Sequence, residues 1–423
     1  MRIDDMILIS IDDHVVEPPD MFAHHVPSAY ASRAPKIVTE GGIDRWVFQG
    51  ATVGSMGLNA VVSWPKDEWG MDPTTFAEMR PGAYDIHERV RDMNRNGVLA
   101  SMCFPTFAGF SAGTFQQAAD KDLALVMLRA YNDWHIDEWC TAYPGRFIPL
   151  ALCPVWDVAA MVDEVHRVAA KGCRAVTMPE LPHLQGLPSY HSDWWDPLFA
   201  ALCDEGMVMC LHIGQGFAAI STPPDAPIDN LIILATQVSA LAAQDLLWGP
   251  AFRKYPELKV AWSEAGIGWI PFYLDRCDRH FRNQTWLHND FGGRLPSEVF
   301  REHSLACYVT DPAALKLRHE IGIESIAWEC DYPHSDSLWP DAPEVVLAEL
   351  QAAGASDSDI DHITWTNTCR FFDHDPFATI ARSEATVGAL RRGAGDVDVD
   401  IVPRAQWRRR YEAVHGDGRV AAR

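Results

Sequence analysis

Eight short apolar runs, each followed by a stretch with helical patterning, constrain this 423-residue chain more than any other feature. They occupy residues 6–11 (MILISI), 98–104 (VLASMCF), 147–153 (FIPLALC), 174–178 (RAVTM), 207–213 (MVMCLHI), 258–263 (LKVAWS), 305–310 (LACYVT) and 325–329 (SIAWE). Near-continuous apolarity without alternation is the pattern of strands buried on both faces, as in a parallel sheet. The spacers carry helical periodicity, as over 121–140 and 157–171. Eight βα units predict an α/β fold, a (β/α)8 TIM barrel. A doubly wound sheet is the alternative, but no Gly-x-Gly-x-x-Gly follows the first run.

Two segments exceed a minimal barrel. Residues 18–96 form a long insertion after strand 1, rich in Gly, Pro and Trp, placed either to shape a substrate site or to act as a dimer arm. Beyond residue 377 a small-residue and charged stretch leads into a helix carrying Trp407, Arg408, Arg409 and Arg410. The expected division is therefore a barrel over 1–377 and a C-terminal helical appendage over 378–423.

Charge narrows the partners. Asp and Glu number 58 against 35 Lys and Arg, a formal net charge of −23, which repels phosphate backbones and anionic membranes. Nucleic acid and membrane are thus not expected as partners. The longest uncharged apolar stretch, 230–244, reads as too short for a bilayer and contains Asn, Thr, Gln and Ser. The N-terminal MRIDDMILISIDDH flanks a short apolar run with carboxylates, unlike a signal peptide. The ten cysteines form no CxxC pair and sit mostly in apolar runs, which reads as buried thiols in a reducing, cytoplasmic setting.

In a parallel barrel, chemistry collects where strands end at the C-terminal face. The first run leads into Asp12 and His14, two apart and so on one side of a strand. The fifth reaches His212, the sixth is followed by Glu264, and the eighth by Asp331. Taken singly, a histidine in an apolar run is more often a satisfied core residue. Ionisable groups at four independent strand ends are hard to explain by packing. Such nitrogen and oxygen donors suit Zn²⁺, with Mn²⁺ or Fe²⁺ as alternatives. Glu180 and His183 follow the fourth run.

The stretch Ser10 to Pro19 (SIDDHVVEPP), Leu211-His212-Ile213-Gly214, Tyr255 to Val260 (YPELKV) and Asp331-Tyr332-Pro333-His334 together resemble the amidohydrolase superfamily. The branch is the amidohydrolase-2 group, which includes aminocarboxymuconate-semialdehyde decarboxylase and the resorcylate decarboxylases. The likeness spans residues 6–377. It implies a (β/α)8 barrel with one divalent metal at its mouth, a small-molecule substrate and a homodimer. The family's strand-one ligand pair falls on Asp12 and His14, its strand-five histidine on His212, and its strand-eight aspartate on Asp331. Two-metal relatives place a bridging lysine after strand four. No lysine stands there, which favours a single metal.

One position departs from the decarboxylases: their strand-six acid/base histidine is Glu264 here. A carboxylate beside a dication stays ionised, so it is a poor acid but a serviceable base. The expected activity is therefore hydrolysis of a small carbonyl compound, aromatic in one reading, by metal-activated water, with Asp331 and Glu264 as catalytic residues. The alternative is nonoxidative decarboxylation of an aromatic or enol acid, and a third reading is a non-catalytic binding protein on the same barrel. His334, Asp336, Glu17 and Trp194 are expected around the substrate. Trp46, Trp64 and Trp69 of the insertion read equally as an aromatic pocket lining or as core.

Overall fold

The computed structural model describes residues 1–416 apart from 53–55, 71 and 215. Parts of the insertion (53–55 and 71) and of the appendage (417–423) thus lie outside the described residues. The chain divides into two compact units. One comprises 1–154, 330–345 and 375–423; the other comprises 155–329 and 346–374.

In the first unit, β1 (Leu8–Val15) pairs in parallel with β5 (Val98–Pro105), in a register that sets His14 beside Phe104. Both strands are buried along their whole length, so their apolar runs satisfy both faces at once. The ladder is irregular between Ser10 and Asp13, where β1 delivers its acidic residues. The insertion folds into an antiparallel sheet of β2 (Lys36–Glu40), β3 (Ile43–Phe48) and β4 (Ala51–Thr52). Gly41 and Gly42 close its first hairpin with φ of 60° and 79°, the positive values that a tight two-residue turn demands. Helix Ile86–Asn96 then returns the chain to β5; Asp85 caps it by accepting from the His87 and Glu88 amides, and Gly97 ends it in the left-handed conformation. Strand β6 (Leu150–Leu152) completes the ordered strands of this unit.

The tail is built into the same unit. Val387 N donates to Met6 O at 2.8 Å and Val402 N to Ser63 O at 2.8 Å. Trp407 packs with Val402, Val61 and Trp64, and Arg408 pairs with the fully buried Glu78.

The second unit holds five parallel strands in the order β11-β10-β9-β8-β7. These are β7 (Ala175–Met178), β8 (Val208–His212), β9 (Lys259–Ser263), β10 (Ser304–Tyr308) and β11 (Ile326–Trp328). All eight predicted apolar runs thus hold a strand. The register places His212 opposite Ser263, so both chains leave the sheet at the same level. Residues 230–244 lie within a helical stretch, Ile228–Trp248, of 21 residues, with an 18-residue window of mean hydropathy 1.5. By length and composition alone that stretch could cross a bilayer, because flanking residues extend it beyond the run seen in sequence. Val238, Ala242 and Leu246 pack its second half into the core.

Candidate metal centre

In the first unit the site grows from β1. Asp12 and His14 are both fully buried, and His14 Nε2 stands 3.5 Å from Asp12 Oδ1 and 3.2 Å from Asp331 Oδ1. Asp331 reaches them because the segment after β11 is strapped to β1. Asp331 N donates to Asp12 O at 2.9 Å, and His14 N to Tyr332 O at 2.7 Å. Asp331 itself adopts φ 57°, a left-handed conformation that non-glycine residues seldom take outside functional turns. His334 Nδ1 lies 2.9 Å from Asp331 Oδ1, and its ring stacks on His14 with centroids 3.8 Å apart.

Asp13, the middle residue of the three, has a structural task. It accepts from Ser10 Oγ at 3.1 Å, from Tyr332 N at 3.0 Å and from Ser101 Oγ. Burial pushes its carboxyl up to about 6, although Arg89 and these bonds pull it down. Arg89 is a buried cation beneath the site; it donates to Gly82 O at 2.6 Å and to His14 O, and lies over the Tyr332 ring.

This arrangement fits a divalent cation. Two donors on one ion at 2.0–2.2 Å stand about 2.8 to 3.6 Å apart, depending on the coordination angle. The His14–Asp12 and His14–Asp331 spacings both fall in that window. Burial and the charges of Asp331 and Asp13 hold the Asp12 carboxyl well above the ordinary range, an imbalance that a cation reverses. Burial acts the same way on Asp331, but His334 and His14 outweigh it and hold that carboxyl below its usual range.

The second unit presents another donor pair. His212 ends β8, and its Nδ1 donates to Ile213 O at 2.5 Å, which leaves Nε2 as the nitrogen that carries a lone pair. Nε2 lies 3.4 Å from Glu264 Oε2, again within the window for donors on one ion. Glu264 follows β9 in the left-handed conformation, φ 52°. Its peptide N donates to Glu329 Oε2 at 3.1 Å. Glu329 was not singled out from the sequence. Its signal was there: a carboxylate closing an apolar run must be buried with partners.

The remaining predicted residues scatter. Glu17 is fully buried, with its oxygens accepting from Thr106 N at 3.0 Å and Phe107 N at 2.8 Å. Burial, opposed by those bonds, pushes its carboxyl up to about 7. Asp336 is exposed on the loop beyond His334. Trp194 is half-buried in the second unit, edge-on to Trp195 at 4.6 Å. Glu180 is buried and accepts from Ser239 Oγ, whereas His183 is exposed. The aromatic-lining reading is corrected for Trp46 and Trp64, which are core: Trp46 packs on Phe107 at 4.6 Å, and Trp64 on the tail.

Comparison with known proteins places this geometry in a lineage. A curated relative, the 2-amino-3-carboxymuconate-6-semialdehyde decarboxylase of Dictyostelium discoideum, is 23% identical over 270 residues, 62% of this chain and 70% of the relative. An amidohydrolase structure from Mycobacterium avium subsp. paratuberculosis K-10 aligns with TM-score 0.66 at 19% identity, covering 87% of this chain and 99% of that one. A dihydroxybenzoic acid decarboxylase from Polaromonas sp. JS666, with bound manganese and the inhibitor 2-nitroresorcinol, aligns with TM-score 0.59 at 18% identity. That alignment covers 89% of this chain and 98% of the neighbour. These likenesses show the fold, a (β/α)8 barrel. The amidohydrolase family model matches residues 21–373, most of the length, and the chain belongs to that family.

Proposed function

We propose that the protein is a metal-dependent carboxy-lyase that removes CO2 from a small aromatic or enol acid. The observation that carries this reading is the Asp331–His334 pair, buried and joined at 2.9 Å beside His14. Decarboxylation ends when the carbon that lost CO2 takes a proton, and the buried imidazole of His334, its Nδ1 2.9 Å from Asp331 Oδ1, would supply it away from bulk water. The decarboxylase activities named for the Dictyostelium and Polaromonas proteins support it.

Asp12, His14 and Asp331 would hold the metal. When bound, the ion supplies Lewis-acid charge for an anionic oxygen-bearing substrate. The donors suit Zn²⁺, with Mn²⁺ the rival. Arg89 fixes the His14 carbonyl, and Asp13 fixes the peptide of Tyr332, so both segments that carry donors are held in place.

Hydrolysis is the second reading. Glu264 favours it: a carboxylate 3.4 Å from His212 and 27% exposed suits a base that takes a proton from water. A panel of hydroxybenzoic and enol acids offered to metal-loaded protein separates the two. CO2 release supports the lyase, whereas gain of water by esters or amides with no CO2 supports the hydrolase. The homodimer and the cytoplasmic setting belong to this proposal as well. A monomer mass by light scattering would remove the dimer.

A further inference from the structure

The chain leaves β11 through a carboxylate that the metal chemistry above does not use. Glu329 is 1% exposed, and its Oε2 accepts from the Glu264 peptide N at 3.1 Å and from the Cys307 thiol. Its own N donates to Tyr308 O at 3.1 Å, so its backbone is held by β10 and the carboxylate has a defined base. A buried carboxylate is retained only where hydrogen bonds compensate its lost hydration. One of those bonds falls on a residue whose conformation needs support. Glu264 has φ 52°, where a side chain with a Cβ is disfavoured unless the surroundings impose it. The Glu264 N–H is at the turn itself, and a bond from N–H to carboxylate is stronger than one between neutral groups. With that turn held, Glu264 Oε2 comes to 3.4 Å from His212 Nε2. With it released, the residue relaxes to an ordinary region and its carboxylate swings away from β8.

We propose that Glu329 is a positioning residue: its carboxylate fixes the left-handed turn at Glu264 and thereby sets the Glu264 carboxylate against His212. The proposal rests on Glu264 and His212 holding a metal ion together, and is indifferent to whether the reaction is lyase or hydrolase.

Mn²⁺ affinity of the full chain, measured by competition with a chelator, tests it without any substrate. Glu264→Gln should weaken binding. Glu329→Met, which removes the acceptor, and Glu329→Asp, which draws it back by one methylene, should each weaken it about 10- to 100-fold, the range for residues that orient metal ligands. Glu329→Gln keeps an acceptor oxygen and should stay close to the parent. In the Glu264→Gln background, Glu329→Met should add no further loss, because the group it positions is already gone. The Asp variant answers the question if the Met variant does not fold. Losses that add, a Gln variant as weak as Met, or parental affinity in Glu264→Gln, Glu329→Met or Glu329→Asp would each overturn the proposal. A failed search for CO2 release would leave all of these affinities untouched, so the two readings fail separately.

Discussion

The imidazole of His334 lies face to face with that of His14, centroids 3.8 Å apart and planes 26° apart, while its Nδ1 lies 2.9 Å from Asp331 Oδ1. One side chain thus braces both a nitrogen and an oxygen donor of the candidate metal centre. His334→Ala should weaken Mn²⁺ binding about 10- to 100-fold, the usual cost of removing a group that orients ligands. His334→Phe keeps the stack and loses the nitrogen beside Asp331, and should fall between. Calorimetric titration gives the ranking; parental affinity in the Ala variant would refute the bracing role.

His14→Ala and His212→Ala should each leave far less than one divalent ion per chain while the fold persists. Neither imidazole is a large part of the apolar core, and His212 Nδ1 donates to Ile213 O. Elemental analysis beside far-ultraviolet circular dichroism checks this. Full metal occupancy in the His212 variant would remove it from the donor set.

How far the sequence reached is clearest at particular residues. Each of the eight apolar runs holds a strand, because a strand buried on both faces is mostly apolar. Asp12 and His14 were legible as a pair because period-two alternation puts them on one side of β1. The left-handed turns at Glu264 and Asp331 were not legible, since neither carries the glycine that announces such a turn. Glu329 hid as the last letter of an apolar run. Trp46 and Trp64 show why aromatic-rich insertions mislead: the same rings can line a pocket or fill a core, and composition does not say which.

Glu17 should make stability depend on pH with a definite sign. Burial raises its folded carboxyl from 4.5 to about 7, so below 4.5 both states are protonated and nothing is lost. As pH rises from 4.5 through 7 the unfolded chain ionises first, and the folded state loses stability. Relative to the parent, Glu17→Gln should therefore gain about 2 kcal/mol between pH 5 and pH 8. Urea unfolding at the two pH values measures the difference; a gap that is constant with pH would show that Glu17 titrates normally.

Arg89 is the cation nearest the buried Asp13, and it also holds Gly82 O and His14 O. Arg89→Met should cost about 3 to 5 kcal/mol of folding stability, because it strands a buried carboxylate and two carbonyls. Arg89→Lys, with one charged nitrogen in place of a fork, should recover only part of that. Denaturant midpoints at pH 7 give both values. A Met variant as stable as the parent would show that Asp13 needs no cation.

The central claim is that carbon, not water, is the reacting partner. The direct test is turnover of an acid that releases CO2, run once in D2O and once in H2¹⁸O, with the product read by mass spectrometry. The expected product carries one deuterium at the carbon that lost CO2 and no ¹⁸O. A product that carries ¹⁸O, formed without CO2, would contradict the lyase reading and leave Glu264 as the base of a hydrolase.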